Sequence, residues 1–285
     1  MNLTSPTPIL RRYGGILLLI QALLGCAVSR GQQADPPASP AHAPATLPAS
    51  KDAFHVYLLM GQSNMAGRGD LHGSALSADN PRLLTLNPDE QWVAAQDPLH
   101  QKDGRTEPGV GPGISFALEM LKADPKITIG LVPCAVGGSP LKRRVKGGDL
   151  YERAVTRARL AAQAGVIKGV LWHQGETDSA NEKFAETYES RLTNMFKDLR
   201  TDLGLPDVPI VVGQLGEFLA ESPNKYPYLE TVRTAILHVP SVLPKVGYAD
   251  SAGLAHKGDK LHFDAEAAKE LGVRFAKAMQ DVQKK

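Results

Sequence analysis

At 285 residues the chain suits one folded domain of about 230 residues with a leader ahead of it. A formal net charge of +2 and an aromatic content of 6% give no basic tract and no stacking platform, which argues against nucleic-acid binding. Of the two cysteines, Cys26 lies in the leader; Cys134 alone can form neither an internal disulfide nor a paired-thiolate metal site, and is expected as a small buried hydrophobe.

Residues 1–29 read as a secretory signal peptide. Arg11 and Arg12 precede the apolar stretch Ile16–Val28, which is short for a membrane span, and Ala27-Val28-Ser29 offers a small-residue cleavage site. Leu23-Leu24-Gly25-Cys26 also resembles a bacterial lipoprotein box, in which a lipidated Cys26 would attach the protein to a membrane; an uncleaved anchor is the third reading. All three place the protein outside the cytoplasm, secreted or periplasmic. Residues 30–51 are rich in Pro and Ala with almost no large apolar residues, so they are expected to form a disordered linker. The folded domain is then 52–285.

From Phe54 onward short apolar runs alternate with helical patterns. The apolar run Phe54–Met60, which stops at Gly61, with Ile127–Pro133, Ile167–His173, Val208–Leu215 and Lys245–Tyr248, read as five strands. Ile114–Lys122, Leu150–Ala164, Glu182–Leu203, Tyr228–His238 and Asp264–Val282 read as helices, with Asp264 as the N-cap of the last. This alternation predicts an α/β fold with a mainly parallel sheet covered on both faces. Leu71–Gly113 breaks the rhythm; it is rich in turn residues and reads as a long functional loop.

Four strand ends carry unusual residues. Phe54–Asp70 (FHVYLLMGQSNMAGRGD) runs from an apolar strand into Gly61-Gln62-Ser63-Asn64. Ligands bind past the carboxyl ends of strands in open α/β sheets, so Ser63 is a candidate nucleophile, although a serine there can equally cap a helix. The second strand exits into Cys134-Ala135-Val136-Gly137-Gly138-Ser139. Paired glycines can expose backbone N–H groups, as an oxyanion hole requires, or simply form a tight turn. The third exits into Trp172-His173-Gln174-Gly175-Glu176-Thr177-Asp178, where the Gln174 amide could be another oxyanion donor; Glu176–Asp178 could also just shape the loop. Near the C-terminus, Asp259 and His262 stand three apart, a spacing that can hold a carboxylate against one imidazole nitrogen while the other faces a serine.

GQSNMAGRG, VPCAVGGS, WHQGETD and GDKLHFD, in this order, resemble the four blocks of SGNH-type carbohydrate esterases, more narrowly the sialate O-acetylesterase and acetylxylan esterase group. The resemblance covers Phe54–Met279. It implies a flavodoxin-like three-layer α/β/α sandwich with a five-stranded sheet, and metal-free, cofactor-free removal of O-acetyl groups from carbohydrates through an acetyl-enzyme. Matched position by position, Ser63 is the nucleophile, His262 the general base and Asp259 the acid that orients it, with Glu176 a rival for that last role. The oxyanion donors would be the Ser63 N–H, the N–H of Gly138 or Gly137, and the Gln174 side chain. Gln62, Asn64 and His173 of the same blocks are expected to bind substrate. After Gly-Gly-Ser this chain departs from the pattern, reading Pro140-Leu141-Lys142-Arg143-Arg144 where relatives often carry a Trp; the basic residues suggest either an acidic glycan or a solvated loop.

Other readings fit less well. An α/β-hydrolase esterase needs Gly-x-Ser-x-Gly after several strands. A metal-dependent hydrolase could draw on His173, Glu176, Asp178 or His262, but HExxH spacing is missing from the sequence. A secreted carbohydrate-binding protein of the same fold without activity is the alternative from another class; the presence of Ser63, Asp259 and His262 argues against it.

Overall fold

The computed structural model describes residues 44–284, except 77–79, 103 and 105. The expected signal peptide, the lipidated Cys26 and most of the expected linker lie outside the described residues. Residues 44–51 at the end of that linker lie within them; the Ala45 N–H donates to the Trp92 carbonyl at 2.8 Å, so the edge of the sheet begins to collect chain before Asp52.

The fold grows from β1 (Phe54–Gly61), in which every residue except His55 is buried. A strand buried on both faces needs partners on both edges and cover above and below. β1 receives them from β4 (Thr128–Pro133) on one side and β5 (Val166–His173) on the other, both parallel to it. With β2 (Leu83–Leu86), β3 (Trp92–Ala94), β6 (Ile210–Gly213) and β7 (Val246–Ala249) the order is β3-β2-β4-β1-β5-β6-β7. All neighbours are parallel except β3, which runs antiparallel to β2 at the edge.

The sheet therefore has seven strands, not the expected five. The five expected strands are present, and the extra two lie inside Leu71–Gly113, read from sequence as loop. Leu83–Leu86 is only four residues long and stands between Asn80-Pro81 and Asn87-Pro88, so turn residues mask its apolar character. Helices α2 (Gly113–Ala123) and α7 (Ala265–Lys284) pack together on one face. Helices α3 (Asp149–Ala164), α5 (Tyr188–Leu203) and α6 (Leu229–Val242) pack in sequence on the other. The long helix expected over Glu182–Leu203 is interrupted at Thr187, leaving the short α4 (Glu182–Glu186), which Asn181 caps by accepting from the Phe184 N–H. Edge-to-face aromatic pairs stitch both layers to the sheet, Tyr57 with Phe116 at 4.9 Å and Trp172 with Phe196 at 5.7 Å.

From β1 the chain passes to β2 and β4 on one side, then crosses by α3 to β5 on the other. The strand order reverses at β1, and a crevice opens beyond the carboxyl ends of β1, β4 and β5, where a doubly wound sheet presents its ligand site.

Candidate active site

At the tip of β1, Gly61 adopts φ 141°, a conformation that L side chains rarely take. A Cβ there would lie 2.0 Å from the His173 carbonyl oxygen, so the ends of β1 and β5 are in backbone contact. The Gln62 N–H donates to that same carbonyl at 2.9 Å, and the chain turns into α1 (Ser63–Ala66), putting Ser63 at its first position. Ser63 is only 5% exposed and lines a cleft of 410 Å³.

The loop between β7 and α7 closes over it. The Ser63 Oγ lies 3.0 Å from His262 Nε2, across 199 residues of sequence, and His262 Nδ1 lies 2.7 Å from Asp259 Oδ2. A carboxylate can only accept from that nitrogen, so the imidazole carries its proton on Nδ1 and turns the lone pair of Nε2 to the serine hydroxyl. Asp259 Oδ1 accepts from the N–H groups of Leu261 and His262 at 3.0 and 2.8 Å, which fixes the carboxylate in a turn of its own. Burial pushes the Asp259 carboxyl up, but these N–H groups and the His262 ring outweigh it and hold its pKa below the ordinary value. For His262 burial wins: its pKa is lowered, against the raising influence of Asp259 and, more weakly, Glu176. His256 shapes the same loop, its Nδ1 accepting from the N–H groups of Gly258 and Lys260 at 2.9 and 3.2 Å.

Opposite the serine, Gly137 and Gly138 form the turn after β4 and both line the cleft. Gly138 has φ 63°, and its N–H makes no hydrogen bond among the described residues. The Ser63 N–H opens α1 and has no acceptor within the helix. Two backbone donors are thus available where an oxyanion would form.

The third expected donor is not. Gln174 is fully buried, and its amide nitrogen donates to Asp178 Oδ2 at 2.7 Å, Gln62 Oε1 at 3.1 Å and the Ser139 carbonyl at 3.3 Å. Its oxygen accepts from the Tyr188 hydroxyl at 3.0 Å. The carboxylate of Asp178 is the stronger acceptor and takes the amide away from the cleft. Asp178 also accepts from the Leu141 N–H at 2.8 Å, so Gln174 and Asp178 brace the glycine turn from behind.

Two of the three expected substrate-binding residues are also engaged elsewhere. His173 is sealed in the interior, donating from Nε2 to the Gln214 carbonyl at 3.0 Å, and burial lowers its pKa so that it stays neutral. The Asn64 amide is taken up by Glu176, Leu261 and Phe263. Gln62 does line the cleft. Glu176, the rival orienting acid, is 1% exposed and hydrogen-bonds Asn64; the bond to His262 belongs to Asp259.

The basic stretch after the glycines is accounted for within the protein. Arg144 is fully buried against Trp172, donating to the Cys134 carbonyl at 3.2 Å and to Ser139 Oγ, and burial lowers its pKa to about 10. Arg143 pairs with Asp149, and Lys142 lies over the Phe184 ring at 5.6 Å. Two cations line the cleft: Arg68, from the turn after α1, which donates to the Gly67 carbonyl at 2.7 Å, and Lys225, beside Tyr226, from the segment before α6. Neither Lys225 nor Tyr226 stands out in the sequence, because their segment follows no strand-end motif. Among the described residues no group of three or more His, Cys, Asp or Glu is placed to hold a metal ion.

A family model described as "Carbohydrate esterase, sialic acid-specific acetylesterase" matches residues 53–281, which is most of the chain and all four motif blocks. The chain belongs to this family. It is therefore an ester-bond hydrolase of the carbohydrate acetylesterase type with the SGNH fold. An Arabidopsis thaliana protein named "Probable carbohydrate esterase" is 38% identical over 241 residues, covering 78% of this chain and 89% of its own. The solved Arabidopsis structure superposes with a TM-score of 0.71 at 36% identity, covering 80% of this chain and 98% of that one. The structure of NanS is similar in fold, with a TM-score of 0.64 at 20% identity over 81% of this chain and 98% of that one. So is that of a carbohydrate acetylesterase from Xanthomonas citri, at 0.58 and 22% over 80% of this chain and 56% of that one.

Proposed function

We propose that this esterase is a serine hydrolase that removes O-acetyl groups from glycans of the acetylxylan or sialic-acid type, working outside the cytoplasm. The observation that carries the mechanism is the unbroken line of hydrogen bonds from Ser63 through His262 to Asp259. In the first step His262 Nε2 takes the serine proton as Oγ attacks the acetyl carbonyl carbon. The carbonyl π electrons move to oxygen, and the N–H groups of Ser63 and Gly138 are the donors that meet that charge. Asp259 stabilises the imidazolium and keeps it in register. The C–O bond to the sugar then breaks, His262 returns its proton to the departing sugar hydroxyl, and Ser63 is left acetylated. Water, deprotonated by the same nitrogen, attacks the acetyl-enzyme and releases acetate. No step calls on a metal or an organic cofactor.

Residues 1–29 act in this reading as the export signal, with lipidation of Cys26 as the form that would retain the protein at a membrane; the mass of the mature N-terminus distinguishes the two. The experiment on the chemistry is acetate release from an acetylated sugar and from nitrophenyl acetate by Ser63→Ala. Turnover is expected to fall by about 10⁴ or more, with the fold intact. A Ser63→Ala enzyme with near-normal turnover would overturn the proposal.

A further inference from the structure

The side chain next to the nucleophile does work that no motif describes. Asn64 is 3% exposed, and its amide nitrogen donates to Glu176 Oε1 at 2.6 Å and to the Leu261 carbonyl at 3.1 Å. Its amide oxygen accepts from the Phe263 N–H at 3.2 Å. Leu261 and Phe263 are the residues on either side of His262. One amide, held on the turn that carries the nucleophile, thus grips the backbone on both sides of the histidine facing that nucleophile.

Glu176 decides which way round this amide sits. A carboxylate only accepts, so the nitrogen of Asn64 must face it and the oxygen must face Phe263. A flipped amide would set oxygen against carboxylate and nitrogen against an N–H donor. Other calls on Glu176 are weak. His173 Nδ1 lies 3.7 Å away and, with the proton on Nε2, it is itself an acceptor. Among the described residues Asn64 is the only hydrogen-bond donor to the Glu176 side chain.

We propose that Asn64 and Glu176 are a positioning pair that sets the distance between Ser63 and His262, Glu176 acting through the Asn64 amide rather than as the acid that orients the histidine. This rests on the serine mechanism above. Such a role explains why Asn64 is buried without lining the cleft, and why Glu176, at the cleft's edge, spends its hydrogen bond on Asn64. Misplacing reacting groups by about 1 Å can cost about 100-fold in rate. The charged groups around His262 are Asp259, Glu176 and Arg68, so Glu176 also bears on its titration through space.

The test measures kcat, KM and the pH profile for Asn64→Ala, Asn64→Asp, Glu176→Gln, the Asn64→Asp/Glu176→Gln double variant and Ser63→Ala. Asn64→Ala is expected to lose about 10- to 100-fold in kcat with KM within about threefold, since it leaves the cleft lining in place. Asn64→Asp sets two carboxyl groups against each other and should fall as far. Adding Glu176→Gln gives that aspartate a donor again, and kcat should recover by about tenfold. Glu176→Gln alone can still accept from Asn64 but no longer dictates its orientation, so its plateau kcat should fall less than that of Asn64→Ala while the acid limb moves to lower pH. If Asn64→Ala does not fold, the isosteric variants carry the test. An Asn64→Ala or Asn64→Asp kcat within about twofold of the parent overturns the proposal, as does a Glu176→Gln kcat as low as that of Asp259→Asn. Ser63→Ala separates the two levels: if it stays active, the serine mechanism fails; if it is inactive and Asn64 is indifferent, only the positioning pair does.

Discussion

At the residue scale, the proposed mechanism makes the pair His262 and Asp259 set the pH dependence. The base must be neutral to accept the serine proton, and burial lowers its pKa from the ordinary 6.5. Activity should therefore persist below pH 6.5 and fall along an acid limb whose midpoint lies under that value. A rate independent of pH from 5 to 8 would count against His262 as the base unless the limb lies lower still, which extending the profile to pH 4 decides. Asp259→Asn removes the hydrogen bond and the charge that raise the histidine pKa, so the limb should move further down. It also offers an N–H to Nδ1, which favours the tautomer with its proton toward Ser63, and kcat should fall by about 10³–10⁴. The sequence alone left Asp259 and Glu176 unranked, since both are acids near a histidine in the chain or in the sheet. Only the path of the β7–α7 loop separates them, with Asp259 Oδ2 at 2.7 Å from the ring. Gln174 and His173 both turn away from the cleft for a common reason. Polar residues at a strand end look exposed in sequence, whereas here Asp178 and the Gln214 carbonyl draw them inward.

At the element scale, the decisive unit is β1, its turn and α1. The apolar run of Phe54–Gly61 and the glycine that stops it are plain in the sequence, and so the strand and the serine at its tip were legible. What sequence does not display is that Gly61 touches β5. An alanine at 61 would need φ 141° and would bring its Cβ to 2.0 Å from the His173 backbone. Gly61→Ala is therefore expected to cost more than about 3 kcal/mol of stability, combining backbone strain with a clash that no side-chain movement relieves. Thermal or denaturant unfolding measures it; a variant within 1 kcal/mol of the parent would show that β1 and β5 can part at their tips. Elsewhere, elements were legible in proportion to their length. The long helices α3 and α7 follow their periodicity closely. The four residues of β2 and the three of β3 are too short to outvote the turn residues around them. Helix α6 runs through Pro240 to Val242, past the His238 at which the pattern was expected to stop, because its last turn packs with Val239 buried.

At the scale of the whole molecule, the parallel sheet explains why four blocks scattered over some two hundred residues meet: every parallel strand ends on the same edge. Substrate choice is the part that this logic leaves unspecified, because it depends on segments that arrive from outside the blocks. Lys225 and Tyr226 reach the cleft from the segment between β6 and α6, and Lys225, over the Tyr226 ring at 5.2 Å, makes no ion pair among the described residues. The basic residues 142–144, which looked like the source of any preference for acidic glycans, are turned to structural tasks. A preference for an anionic sugar would then rest on the two cations that line the cleft, the buried Arg68 and the exposed Lys225. An exposed ion pair contributes about 0.2–1 kcal/mol, so Lys225→Ala should raise KM for an O-acetylated sialic acid by no more than about fivefold. The same variant should leave KM for a neutral acetylated xylo-oligosaccharide unchanged, and 0.5 M salt should weaken the parent's binding of the acidic sugar in the same direction by screening the pair. Equal KM effects on both sugars would assign Lys225 to the wall of the cleft alone.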